Sequence, residues 1–126
     1  MLDPDLFKAI VAIAPVTDLA TLRAEARNYT SYTLVNRFVG TGPHVREGSP
    51  AQNAGAIKAP VLLFHGDKDE NVGIIESRLM ADRLREAGKK VEFVSFPGLD
   101  HQLDDDRART RLLTRSDAFL RAALGM

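Results

Sequence analysis

Cysteine is absent from this 126-residue chain. Disulfides, thiolate zinc or iron–sulfur sites and a cysteine nucleophile are therefore excluded. Excess charge is absent too. The 17 Lys and Arg balance 17 Asp and Glu, for a formal net charge of zero. That removes the bulk electrostatic argument for nucleic acid or an anionic membrane as partner, and no run of bases supplies a local one. No apolar run approaches the roughly 18 residues of a membrane span. The first residues, Met1 to Asp5, carry acids where a signal peptide carries bases, so no export signal is expected. The lack of cysteine leaves the compartment open between cytoplasm and periplasm. Repeats and low-complexity stretches are also missing. What remains is 44% hydrophobic and 27% charged, the composition of an ordinary soluble globular domain. Residues 1–126 read as one unit, short for a complete parallel-sheet enzyme.

Three short apolar runs organise the chain. They are Lys8–Ala14, closed by Pro15; Pro60–His65, closed by Gly66; and Lys90–Phe96, closed by Pro97 and Gly98. The first two are almost continuously apolar, as strands buried on both faces of a parallel sheet are. The third alternates, with Val91, Phe93 and Ser95 on one side and Glu92 and Val94 on the other, which places it nearer an edge. The segment Gly73–Ala87 has Ile75, Leu79, Leu84 and Ala87 at helical spacing, with Gly88 as a stop. From Asp105 to Leu124, Ala108, Leu112, Phe119 and Ala122 form a second stripe. Asp104, Asp105 and Asp106 stand at its start, where the helix dipole favours negative charge. Strand, helix, strand, helix predicts a right-handed parallel βαβ unit and an α/β fold of about three parallel strands with helices on both faces. The segment between Thr17 and Ala59 is an excursion. Leu19–Arg27 reads as a helix capped by Thr17 or Asp18. Residues 28–50 show no strong period, and Ser49-Pro50 reads as a cap with a first-turn proline. Such an excursion often covers a pocket.

Ligands of an open parallel sheet meet the carboxyl ends of its strands. Asp67, Asp69 and Glu70 follow the second run, and Asp100 and His101 follow the third. Asp69 and His101 lie 32 residues apart, about one βαβ crossover. Adjacent strands would bring the two loops to one edge, where a carboxylate can accept the imidazole Nδ1 proton, fix the tautomer and stabilise the imidazolium. A metal site from Asp67, Asp69, Asp100 and His101 lacks any supporting spacing. No metal and no cofactor is expected. His65 reads as a structural histidine bonded to the turn after its strand, and His44 as solvent-facing. Asp67 and Glu70 read as solvated turn residues and Asp18 as a cap.

These residues resemble the prolyl oligopeptidase family of α/β-hydrolases. The segment Pro60-Val-Leu-Leu-Phe-His-Gly-Asp-Lys-Asp-Glu-Asn-Val72 is similar to that family's acid-bearing strand and loop, with Asp69 on the triad acid. The stretch Glu86–His101 resembles the family's last run before its triad histidine, which would be His101. Leu2–Asp18 resembles the strand after the nucleophile helix, and Ser49-Pro50 and Ala59-Pro60 fit the linker before the acid strand. Gly73 departs from the proline common there, and Gln102 from the glycine that often follows the histidine. The resemblance implies a serine peptidase of dipeptidyl or acylaminoacyl type, or an esterase on the same fold, acting on a peptide or a small ester or amide. It implies that residues 1–126 form the C-terminal portion of such a domain. Tyr29, Tyr32 and Phe38 either line its substrate pocket or pack the excursion on the sheet.

The family's nucleophile sits in a Gly-x-Ser-x-Gly elbow, and no such motif occurs here. Ser31, Ser49, Ser77, Ser95 and Ser116 all lack the flanking glycines. The chain is therefore expected to supply acid and base without nucleophile or oxyanion hole, and to be inactive alone. The other reading is a binding or assembly module, or a degenerate hydrolase, that self-associates through the exposed edge of its first strand.

Overall fold

A computed structural model describes residues 3–126. Met1 and Leu2, where the reading of the N-terminus and the first family-like segment begin, lie outside the described residues. The elements run β1 (Ile10–Ile13), α1 (Leu19–Glu25), a 3-10 turn (Ala26–Asn28), α2 (Tyr32–Val39), α3 (His44–Glu47) and a 3-10 segment (Pro50–Ala56). They continue with β2 (Val61–Gly66), α4 (Ile75–Glu86), β3 (Val91–Phe96) and α5 (Asp106–Leu124). The strands form one parallel sheet in the order β1-β2-β3. Ile10 pairs with Val61 and Val61 with Val91, so the three strands start level and end at one edge.

Alternation along β2 divides the core in two, because successive side chains leave opposite faces of a strand. Val61 and Leu63 meet Met80, Ala81 and Leu84 of α4 and Ala51, Ala54 and Ile57 of the linker. Leu62 and Phe64 meet Val94 and Phe96 together with Leu103 and with Ala108 and Phe119 of α5. The Phe64 and Phe96 rings stack with centroids 6.0 Å apart. Every residue of β2 is buried, as its unbroken apolar run predicts. The α/β architecture with helices on both faces is thus the one expected.

Several local expectations are corrected. The run Lys8–Ala14 reads as buried on both faces, yet β1 is only half-buried and Ile13 is 50% exposed. β1 lies at the sheet's edge, so its apolar content finds cover on one side only. The aperiodic stretch after Asn28 contains two helices. Their short length and Gly40–Pro43 between them leave too few turns for a period to register. In α4 the buried stripe is Glu76, Ser77, Met80, Ala81 and Leu84. Ile75 is exposed and Ala87 lies outside the helix, so the apolar face is rotated by about a residue from the one the hydrophobic residues suggest. In α5, Ala108 and Phe119 are buried and Ala122 is exposed. Ser49 makes no capping bond. Its hydroxyl donates to the Val45 carbonyl and accepts from the Leu19 N–H. Asp18, rather than Thr17, caps α1 by accepting from the Thr21 N–H. Asp105 caps α5 in the same way through Ala108. No helix among the described residues is long and apolar enough to cross a membrane.

Candidate active site

The loops after β2 and β3 are stitched together at the carboxyl edge of the sheet. The Asp67 N–H donates to the Phe96 carbonyl and the Lys68 N–H to the Leu99 carbonyl. The Gly98 N–H donates to Asp67 Oδ1 at 2.6 Å. Asp67 is therefore exposed, as expected of a turn residue, but it also joins the two loops. Gly66 permits the approach. A Cβ there would collide with the carbonyl oxygen of Leu99 and crowd that of Asp100, which gives the His-Gly dipeptide a steric reason.

This stitching sets Asp69 Oδ2 2.7 Å from His101 Nδ1. The Asp69 side chain is fully buried and that of His101 is 37% exposed. The other oxygen, Oδ1, accepts from the N–H groups of Asn71 and Val72, both at 2.9 Å. Burial pushes the Asp69 carboxyl up. The bonds from Val72, His101 and Asn71, with the imidazole charge, outweigh burial and hold it below the ordinary carboxylate range. The carboxylate can only accept, so it orients His101 with the proton on Nδ1. Nε2 has no hydrogen-bond partner among the described residues, and the ring lines an open cleft with Lys68, Asn71, Leu99 and Gln102. A base with a free Nε2 and a buried carboxylate behind it can take a proton from an attacking hydroxyl.

The other histidines behave as expected. His44 is exposed, with Nε2 on the Val39 carbonyl. His65 is fully buried, with Nδ1 2.7 Å from Ser77 Oγ and Nε2 2.8 Å from the Val72 carbonyl. Among the described residues no group of three or more His, Cys, Asp or Glu is arranged to hold a metal.

A second cleft, of about 610 Å³, opens beside Asp69 and is lined by Leu22, Glu25, Tyr29, Val35, Asn71 and others. Tyr29 stands in it, whereas Tyr32, in the first turn of α2, is not among its lining residues. Phe38 is 90% exposed and belongs neither to the core clusters nor to the lining of this cleft. Two acids here escaped the sequence reading. Burial raises Glu25, and the Asp69 charge adds to this against the Gly73 N–H bond. Burial also raises Glu76, opposed by bonds from the Thr17 and Asp18 backbone. Glu76 Oε2 takes those N–H groups at 2.8 Å each, tying the loop after β1 to the start of α4. Gly73, the departure from the common proline, has its reason beside it. The Glu25 carboxylate lies against it, and a Cβ at residue 73 would collide with Glu25 Oε1.

The family model described as "Prolyl oligopeptidase family" matches residues 1–126. A monoacylglycerol lipase of Mycolicibacterium smegmatis is 42% identical over 55 residues, 44% of this chain and 19% of that protein. The structure of Pyrococcus horikoshii acylaminoacyl peptidase superposes with a TM-score of 0.80 at 25% identity, covering 93% of this chain and 20% of that one. A puromycin-hydrolyzing peptidase of Mycobacterium tuberculosis gives 0.85 at 25% identity over 97% of this chain and 19% of that one. The chain spans about a fifth of the length of each.

Proposed function

We propose, from the premise that this chain belongs to the prolyl oligopeptidase family, that it carries the acid and base of a serine peptidase centre. Asp69 is the acid, His101 the base, and the serine comes from outside residues 1–126. The observation that carries the reading is the 2.7 Å bond between buried Asp69 Oδ2 and His101 Nδ1, where adjacent parallel strands end. None of this chain's serines is bonded to His101. Ser49 and Ser77 are fully buried and engaged elsewhere, and Ser31 and Ser95 are exposed away from any elbow.

In the reaction, the serine Oγ attacks the scissile carbonyl carbon while His101 Nε2 takes its proton. The imidazolium is stabilised by Asp69, which stays ionised, and it passes the proton to the leaving amine as the C–N bond breaks. Water then attacks the acyl-serine carbonyl, giving its proton to His101, and His101 returns that proton to the serine Oγ as the acyl C–O bond breaks and the acid is released. Tyr29 lines the cleft beside Asp69, which supports a role in contacting the substrate.

Esterase chemistry on the same residues is the second reading, favoured by the similarity to a monoacylglycerol lipase. Its distinction lies in the leaving group, not in the triad. In the protein that holds this segment together with its serine, His101→Ala is expected to lower kcat/KM by about 10³-fold or more on peptide anilides. Near-normal turnover would overturn the assignment. Hydrolysis of esters with no measurable cleavage of anilides would select the esterase reading.

A further inference from the structure

His65 is a fully buried group that the reaction does not use, and both of its ring nitrogens are engaged. Its side chain is fully enclosed. Nε2 faces two acceptors: the Val72 carbonyl at 2.8 Å and Asp69 Oδ2 at 3.4 Å. Neither can donate. Nδ1 meets Ser77 Oγ at 2.7 Å, a hydroxyl that can. One neutral tautomer satisfies all three contacts. The proton sits on Nε2, pointing between the carbonyl and the carboxylate, and Ser77 donates to Nδ1. Val72 closes the ring, because the residue whose carbonyl accepts from His65 also gives its N–H to Asp69 Oδ1.

We propose that His65 is a positioning residue for the Asp69 carboxylate, with its tautomer set by Ser77 and its Nε2–H bracing both the Val72 peptide and Asp69 Oδ2. Asp69 Oδ2 then lies between two imidazoles. One, His101, is on the cleft and exchanges protons. The other, His65, is buried away from the cleft. The brace runs from α4 through β2 to the acid loop, so the orientation of His101 is anchored in the first core layer. Buried networks of this kind fix a single geometry only when every donor and acceptor is matched, and the Nε2–H tautomer is the one that matches them. The inference rests on the reading of Asp69 and His101 as acid and base, but its test does not use hydrolysis. A confirmed brace in a protein without hydrolytic activity would therefore remove that reading and leave this one standing.

The test is nitrogen-15 NMR of the imidazoles in the 126-residue chain at neutral pH, where three histidines give few signals. His65 is expected to show a protonated Nε2 and an unprotonated Nδ1. A proton on Nδ1 with Nε2 bare would overturn the proposal with no variant needed, because Nε2 could then donate to neither acceptor. Ser77→Ala is expected to release the tautomer to a mixture. His65→Phe is expected to speed exchange of the His101 Nδ1 proton with water by about tenfold, the worth of one hydrogen bond. His65→Gln, whose amide can sit near the Nε2 position, is expected to restore the native exchange rate. An unchanged His101 proton in folded His65→Phe, or a single unaltered tautomer in Ser77→Ala, would show that His65 merely fills space.

Discussion

Asp69 receives four polar neighbours on two oxygens: Asn71 and Val72 on one, His101 and the more distant His65 on the other. Its lowered pKa has a consequence for stability. In the unfolded chain the carboxyl titrates near 3.8, and in the fold it titrates lower. The ionised group therefore contributes stability that is fully present above 3.8 and is lost as the pH falls through the folded value. Replacing Asp69 by Asn should remove that component. Urea unfolding midpoints of parent and Asp69→Asn are expected to converge as the pH is lowered below 3.8, with the parent ahead above it. A gap that does not narrow with acid would mean the carboxylate's charge contributes nothing to the fold. At this scale the sequence was informative about Asp69 and His101, because strand ends and loop positions suffice to align them. It was silent on Glu25 and Glu76. Their environments are made by residues distant in the chain, and a lone Glu in a helical pattern reads as solvated.

Between elements, the coupling of α1 to the loop before α4 runs through Glu25 and Gly73. A side chain at residue 73 and the Glu25 carboxylate compete for one space. Gly73→Pro is expected to destabilise the fold by about 2 kcal/mol. With Glu25→Ala already in place the same change should cost much less, leaving a coupling energy of about 1 kcal/mol or more in a double-mutant cycle by chemical denaturation. Additive effects would contradict the link. The helices themselves were legible to unequal degrees. α5 was found to within a residue at its start, because Asp105 caps it and Gly125 ends it in a left-handed conformation. α4 was found but rotated, because Ser77 and Glu76 hold buried positions that hydrophobicity assigns to Ile75. α2 and α3 were not found, since each is too short for periodicity to speak.

The whole molecule is built on a three-stranded sheet with two edges, β1 and β3. β2 is enclosed by two core layers. β1 pairs with β2 alone, and Leu6, Phe7, Ile13 and Val16 are exposed around it. An edge strand with free backbone groups and apolar neighbours is a template for pairing with another strand. The 126-residue chain is therefore expected to associate as its concentration rises, seen as an increasing mass in light scattering. A monomer throughout would mean that the edge is protected without a partner. The βαβ order, the parallel sheet and helices on both faces could all be read from three apolar runs and two stripes. The exposure of β1 could not, because an apolar run records what a strand can bury and not what stands next to it.

We propose that Asp69 and His101 activate a serine that lies outside residues 1–126. The most direct measurement is covalent labelling by a fluorophosphonate probe, which reports an activated serine whatever the substrate. The 126-residue chain alone is expected to remain unlabelled. The protein that carries this segment with its Gly-x-Ser-x-Gly serine should be labelled, at a rate that falls by about 10³-fold in His101→Ala. Labelling of a serine within residues 1–126, or a rate indifferent to His101, would contradict the account.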